Sequence, residues 1–397
     1  MLAIAAAALI ALAGIAARPR PPAPPQVVGP RQTTAEQPVY RFRSARAVRF
    51  RCAFDSTVLH ACPARYSKPL DLGSHVLRVR AIGRQRTQSR VVAVRIQVAD
   101  ALAQLHVSDA VTVGAGAGVP AVLNGAVWVP TTADGGIARV AGGTVVARTK
   151  AGQTTADAGF LDAAVAGGGA VWSASDAGGT VARVDPVSGA VTTSFAVAGR
   201  PGGLAEGGGA IWAFHFLQGT ITRIGEDDAA VGRIDVDGAR ATGIAFGAGS
   251  VWLLSANPNE LVRVDPLTGS TVGTIAIKPP FGLRHALIDT WWLAYGDGAV
   301  WATLPNYDAV ARVDAISGAV QYAQIRYGAP FGVAVGGGAA WVAAARGVVR
   351  FDSVTAAPLG AVSLPAASKS GFVSIAFGDG AAWATNYDRG TLVSVTP

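Results

Sequence analysis

Apolar and polar residues alternate with a period of two through much of the chain. "YRFRSARAVRFRCAF" (Tyr40–Phe54), "SHVLRVRAIG" (Ser74–Gly83) and "VVAVRIQV" (Val91–Val98) each predict strand structure with one face buried. From about residue 101 the alternation is punctuated by a recurring phrase. A Gly-rich lead and an apolar residue precede a Trp in "NGAVW", "GGAVW", "GGAIW", "GAGSVW", "GDGAVW", "GGGAAW" and "GDGAAW". These tryptophans are Trp128, Trp172, Trp212, Trp252, Trp301, Trp341 and Trp383, spaced by 44, 40, 40, 49, 40 and 42 residues. After most of them a strand ends near "RVD", a turn follows, and another strand begins.

Repeats of this length with about four strands each predict a β-propeller, and seven copies predict seven blades. The last repeat stops at a third strand, "GTLVSVTP" (Gly390–Pro397). Before the first Trp lies a spare strand, "LHVSDAVTVGAG" (Leu105–Gly116), which fits the missing fourth position and would close the ring. The repeat Trp is expected to pack between blades. "VDPVSG" (Val184–Gly189), "VDPLTG" (Val264–Gly269) and "VDAISG" (Val313–Gly318) read as turns, with Asp185, Asp265 and Asp314 as turn formers. "NYD" at Asn306–Asp308 and Asn386–Asp388 reads as turn chemistry too.

Composition agrees with many short strands and tight turns: 397 residues, 50 Gly, half of the chain hydrophobic and only 15% charged. Charge divides the chain. Residues 1–98 carry 16 Lys and Arg against 3 Asp and Glu, a balance of +13; residues 99–397 carry 17 against 22, a balance of −5. A basic front part suits an anionic polymer of the cell envelope, and an Arg-coated solvated surface is the plainer reading. The acidic propeller argues against nucleic acid.

"LAIAAAALIALAGIAA" (Leu2–Ala17) is apolar over 16 residues, short for a membrane span and suited to a signal-peptide core. Arg18 and Arg20 follow it, and no charged segment precedes it, so either the true start lies upstream or this is the end of a longer anchor. Either way the body is expected to be extracytoplasmic. The Pro-rich "RPRPPAPPQVVGPRQTTAEQP" (Arg18–Pro38) reads as a spacer. The expected organisation is a signal peptide or anchor at 1–17, a linker at 18–39, a basic β-domain at 40–99 and the propeller at 101–397.

Two resemblances sharpen this. "FRC" (Phe50–Cys52), "FD" (Phe54–Asp55), "ACP" (Ala61–Pro63) and "GSHVLRVRA" (Gly73–Ala81) resemble a bacterial immunoglobulin-like module of cell-surface proteins. That resemblance implies a β-sandwich with a Cys52–Cys62 bridge, hence an oxidising compartment, and a structural His75. The seven Trp repeats resemble virginiamycin-B-lyase-like and YVTN-type bacterial propellers over roughly 290 residues. In the lyases of that group, acids and a His at strand ends hold a metal and do the chemistry. Three residues after each repeat Trp this chain has Thr131, Ser175, His215, Ser255, Leu304, Ala344 and Asn386, and it contains no Glu-x-His pair. Lyase chemistry is therefore not carried over, and no metal or cofactor is expected.

One repeat is broken. Pro201 to Trp212 and Pro330 to Trp341 are both 11 residues, but Pro280 to Trp301 is 21. The insertion, "LRHALIDTWW" (Leu283–Trp292), brings Arg284, His285, Asp289, Trp291 and Trp292 to the mouth of the central channel. Two readings stand: a surface for a sugar or aromatic ligand, or a plug that buries both indoles. Arg200, Phe281, Phe331 and His215 are further channel-mouth candidates. The expectation is a monomeric, non-catalytic binding or scaffold protein whose partner is a small molecule, a glycan or an envelope protein. The alternative is a streptogramin-lyase-like or lactone-hydrolase-like enzyme with an atypical site using His285 and Asp289.

Overall fold

The computed structural model describes residues 20–35, 37–99, 101–153, 162–197, 199–216, 218–227, 230–236, 240–255, 259–285, 292–365 and 373–397. The apolar run Leu2–Ala17 lies outside them. The chain divides into two compact units, Met1–Ala101 and Leu102–Pro397.

In the front unit, alternation builds two sheets over one core. A three-stranded sheet has the order Gln26–Val28, Val39–Arg43, Arg65–Ser67. A five-stranded sheet has the order Gln32–Thr33, Val92–Val98, Gly73–Ile82, Arg49–Phe54, His60–Cys62. Tyr40, Phe42, Phe50, Leu77, Val79, Ala81 and Ile96 form the core, while Arg49 and Arg51 face outward between the buried Phe50 and Cys52. Cys52 and Cys62 form a disulfide between the last two strands. His75 is held at both nitrogens, with Nδ1 2.6 Å from Asp55 Oδ2 and Nε2 2.8 Å from the Asp71 carbonyl oxygen. Gln26–Val28 and Gln32–Thr33 fall within the Pro-rich stretch and pair into these sheets, so strand structure reaches into the expected spacer.

The second unit contains seven sheets among the described residues, antiparallel throughout except where Ala103–Gln104 pairs parallel to Pro358–Ser363 at the edge of the sixth. Their first strands are Ala121–Leu123, Ala164–Gly167, Pro201–Glu206, Ala241–Gly247, Leu293–Gly296, Pro330–Gly336 and Val373–Gly378. Each contacts the next in order, and the first contacts the seventh, so the sheets form a closed ring with these strands innermost. Six of the seven second strands, such as Ala170–Ser175 and Ala299–Leu304, are buried along their whole length, whereas fourth strands such as Thr271–Ala276 are largely exposed. The seventh sheet takes its outer edge from the start of the unit: His106–Val107 and Val111–Thr112 both pair with Thr391–Thr396.

The recurring phrase is explained by register. Six of the seven repeat tryptophans stand directly opposite an Arg on the third strand, as in Trp172↔Arg183 and Trp252↔Arg263, whereas Trp383 stands opposite Ser394. The guanidinium groups of Arg139, Arg183, Arg223, Arg263 and Arg350 lie 5.4–5.9 Å from the Trp ring centroids, a cation–π distance. Six of the seven repeat tryptophans are fully buried, and Trp172, Trp212, Trp252, Trp341 and Trp383 donate Nε1–H to the carbonyl five residues earlier. The following Asp caps its turn. Asp185 Oδ1 accepts from the Val187 and Ser188 amides and from the Ser188 hydroxyl, which holds the carboxyl below the usual range. Asp265, Asp314 and Asp352 repeat the arrangement.

Candidate channel-mouth site

The lengthened repeat belongs to the fifth sheet, and the residues that anchor it come from that sheet's own second strand and hairpin. The amides of Arg284 and His285 donate to the Asn306 carbonyl at 2.8 and 3.3 Å. His285 Nε2 lies 2.8 Å from Asp308 Oδ1. Asp308 follows the 3-10 turn Pro305–Tyr307 in a left-handed conformation, and its backbone carbonyl accepts from Ile325 N–H. Its position is therefore fixed by the backbone, and its carboxylate is buried against an imidazole that stays partly exposed. On the far side of the insertion, Trp292 N–H donates to the buried Thr303 hydroxyl, and Thr303 N–H donates back to the Trp292 carbonyl.

Trp292 is half-buried and faces a hollow at the ring axis. The hollow is lined from every sheet, by Val119, Ala163, Leu204, Ile244, Leu293, Val333 and Ile375. It offers only about 60 Å³, room for a few waters. The Trp292 Nε1–H is buried with no acceptor among the described residues.

The other sequence candidates separate. Arg284 has an exposed side chain beside His285. Phe281 packs against the core between the fourth and fifth sheets, and Phe331 is buried in the first strand of the sixth. Asp289 and Trp291 lie outside the described residues. His215 does not reach the mouth: it is fully buried, with Nε2 2.8 Å from the Thr222 hydroxyl. Burial lowers its pKa, the Arg233 charge lowers it further, and the Arg200 backbone weakly opposes both. Arg200 makes a two-point ion pair with the buried Asp176, through Nε at 2.9 Å and through Nη2.

Two carboxylates escaped the sequence reading. Asp162 Oδ1 accepts the Asp176 amide at 3.0 Å, so Asp162, Asp176 and Arg200 form a chain across the second and third sheets. Burial raises the Asp162 pKa to about 6; the Asp176 amide opposes the shift and the Asp176 charge adds to it. Asp176 sits four residues after Trp172, just beyond the strand end. At the opposite end of the third sheet, Glu206 and Glu226 are both raised, chiefly by burial. Among the described residues no group of three or more His, Cys, Asp or Glu could hold a metal ion.

No family model matches the chain, and no curated protein matches it. Solved structures do match. Hydrazine synthase of Kuenenia stuttgartiensis is similar at 13% identity, covering 71% of this chain and 96% of that one, with a TM-score of 0.56. The β-propeller domain of Cps50 (Swd1) from Myceliophteria thermophila is similar at 11% identity, covering 74% and 99%, with a TM-score of 0.57. The fold is a β-propeller. At these identities the likeness gives the propeller its architecture and leaves its chemistry to the residues themselves.

Proposed function

We propose that the second unit is a seven-bladed propeller that binds a small molecule, glycan or partner protein at the channel mouth of the fifth blade. In this reading the chain is exported and held at the cell envelope, with the front unit as an immunoglobulin-like module. One observation carries the binding site: the broken repeat is clamped at both ends, by His285–Asp308 and Trp292–Thr303, beside an axial hollow too narrow to hold a ligand itself. In this reading the clamp sets the half-buried Trp292 indole, the partly exposed His285 imidazole and the exposed Arg284 cation along one rim. Such a rim suits a sugar or aromatic ligand with acceptor oxygens. The disulfide and the apolar run Leu2–Ala17 support export.

Titration of the full chain with a panel of glycans and small aromatics, followed by Trp fluorescence, tests the site. Trp292→Ala and His285→Ala should each weaken a detected ligand by about tenfold, as loss of one buried aromatic or charged contact does. Unchanged binding by both variants removes the site. A catalytic reading rests on the same pair, because a carboxylate-held imidazole is the geometry of a general base. Turnover of lactones or cyclic depsipeptides, abolished in His285→Ala, would replace the binding reading.

A further inference from the structure

The outward face of the front unit's five-stranded sheet is an arginine surface. Arg49 and Arg51 project from Arg49–Phe54, Arg78 and Arg80 from Gly73–Ile82, and Arg95 from Val92–Val98, each alternating with a core residue. In the register Arg51 stands directly opposite Arg80, a pairing of like charges that costs stability. None of these five has an ion-pair partner among the described residues.

The chain then folds a further cation over this face. After Ile82, the 3-10 turn Arg84–Arg86 places Gln85 and Arg86 in the left-handed region, at φ of 52° and 58°. Ile82 bridges to Gln88, which brings the turn back over the sheet. The result is a hollow of about 390 Å³ lined by Arg49, Arg51, Arg86 and Gln88 on a floor of Ala61 and Ile82. Gln88 Oε1 accepts from Arg80 Nη1 at 2.7 Å and so fixes Arg80 at the same place. The Arg80 Nε is buried and unpartnered. Three guanidinium groups, of Arg49, Arg51 and Arg86, thus line one hollow with Arg80 held beside it, and none of the four has an ion-pair partner among the described residues.

We propose that this hollow is an oxyanion site for the phosphoryl groups of a linear polymer. One guanidinium fork satisfies the two oxygens of a carboxylate, whereas several converging forks suit a group with more oxygens and more charge. The site does not end at the hollow. Arg78 and Arg95 continue the cationic track across the sheet, Arg78 opposite Ala93 and Arg95 opposite Val76, which suits successive phosphoryl groups of one chain. This site is independent of the channel-mouth reading.

Calorimetric titration of the full chain with a linear polyphosphate of about ten phosphates, at two salt concentrations, tests it. Polyglutamate of equal charge, inorganic pyrophosphate and a single-stranded oligonucleotide are the comparison ligands. Polyphosphate should bind at least about tenfold more tightly than polyglutamate or pyrophosphate, with affinity falling as salt rises. Arg51→Gln with Arg86→Gln should lose about tenfold, while Arg41→Gln with Arg65→Gln, an equal charge loss on the other sheet, should lose less than about threefold. Arg51→Lys with Arg86→Lys keeps the charge and should lose the preference for polyphosphate over polyglutamate. Equal losses in the two Gln pairs, equal affinity for polyglutamate or pyrophosphate, or tighter binding of the oligonucleotide would each overturn the proposal.

Discussion

Asp162→Asn should stabilise the propeller at neutral pH and do nothing at acid pH. Asp162 is 5% exposed, and its carboxyl pKa rises from 3.8 to about 6 in the fold, so the native state holds the proton more tightly than the unfolded chain. For a group shifted in this direction, the stabilising contribution is complete below pH 3.8 and is lost as pH rises to about 6. At roughly 1.4 kcal/mol per pH unit, the loss across that window is about 3 kcal/mol. Asparagine cannot ionise, yet it keeps an oxygen to accept the Asp176 amide. The difference between variant and wild type should therefore climb from near zero at pH 4 to about 2–3 kcal/mol in favour of the variant at pH 7. The turn aspartates, lowered in the fold, act below this window; Glu206, Glu226 and His215 act inside it but cancel in the difference. Denaturant unfolding followed by Trp fluorescence is the assay, because all nine tryptophans lie in residues 102–397. A difference that does not change between pH 4 and pH 7, or a variant less stable than wild type at pH 7, would refute the reasoning.

Trp252→Ala should cost about 3–5 kcal/mol by the same assay, because the ring is fully buried, whereas Arg263→Ala should cost about 1 kcal/mol through lost stacking and the lost bond to Ser250. Gly390 adopts φ +61°, and an added Cβ would strike the Gly114 carbonyl oxygen at the ring closure; Gly249 adopts φ +69° with open space around it. Gly390→Ala should therefore lower the melting temperature clearly more than Gly249→Ala, whose cost is about 1 kcal/mol. Removing residues 102–112 strips the outer partners from Thr391–Thr396, and light scattering should report concentration-dependent association through the bared edge.

The fold was legible because the repeat encodes it redundantly. Each Gly-rich lead, Trp and Asp turn specifies the same strand order, and the odd strand at Leu105–Gly116 matches the vacancy after Gly390–Pro397. The Arg of "RVD" was a different matter. Its partner lies one strand away, and only the Trp172↔Arg183 register reveals that the two form one packing unit. Ser175, His215 and Ser255, three residues beyond their Trp, are buried because these second strands are covered on both faces. A charged group first appears one residue later, past the strand end, where Asp176 pairs with Arg200.

Asp308 explains why the candidate site was only half visible. An Asp at a left-handed turn position satisfies turn chemistry by itself, so sequence gives no reason to look further. What the turn leaves undecided is where the carboxylate points, and that depends on the neighbouring chain. In the equivalent seventh blade, Asn386 of "NYD" accepts the Arg389 amide and the motif closes its own hairpin. In the fifth, Asn306 turns its carbonyl to Arg284 and His285, and Asp308 takes the imidazole. The same tripeptide thus closes its hairpin and ties to Gly116 and Thr132 in one repeat, and holds the start of the added segment in the other. Thr303, Asn306 and Asp308 belong to the blade's own second strand and hairpin, and their polar groups hold both ends of the added segment.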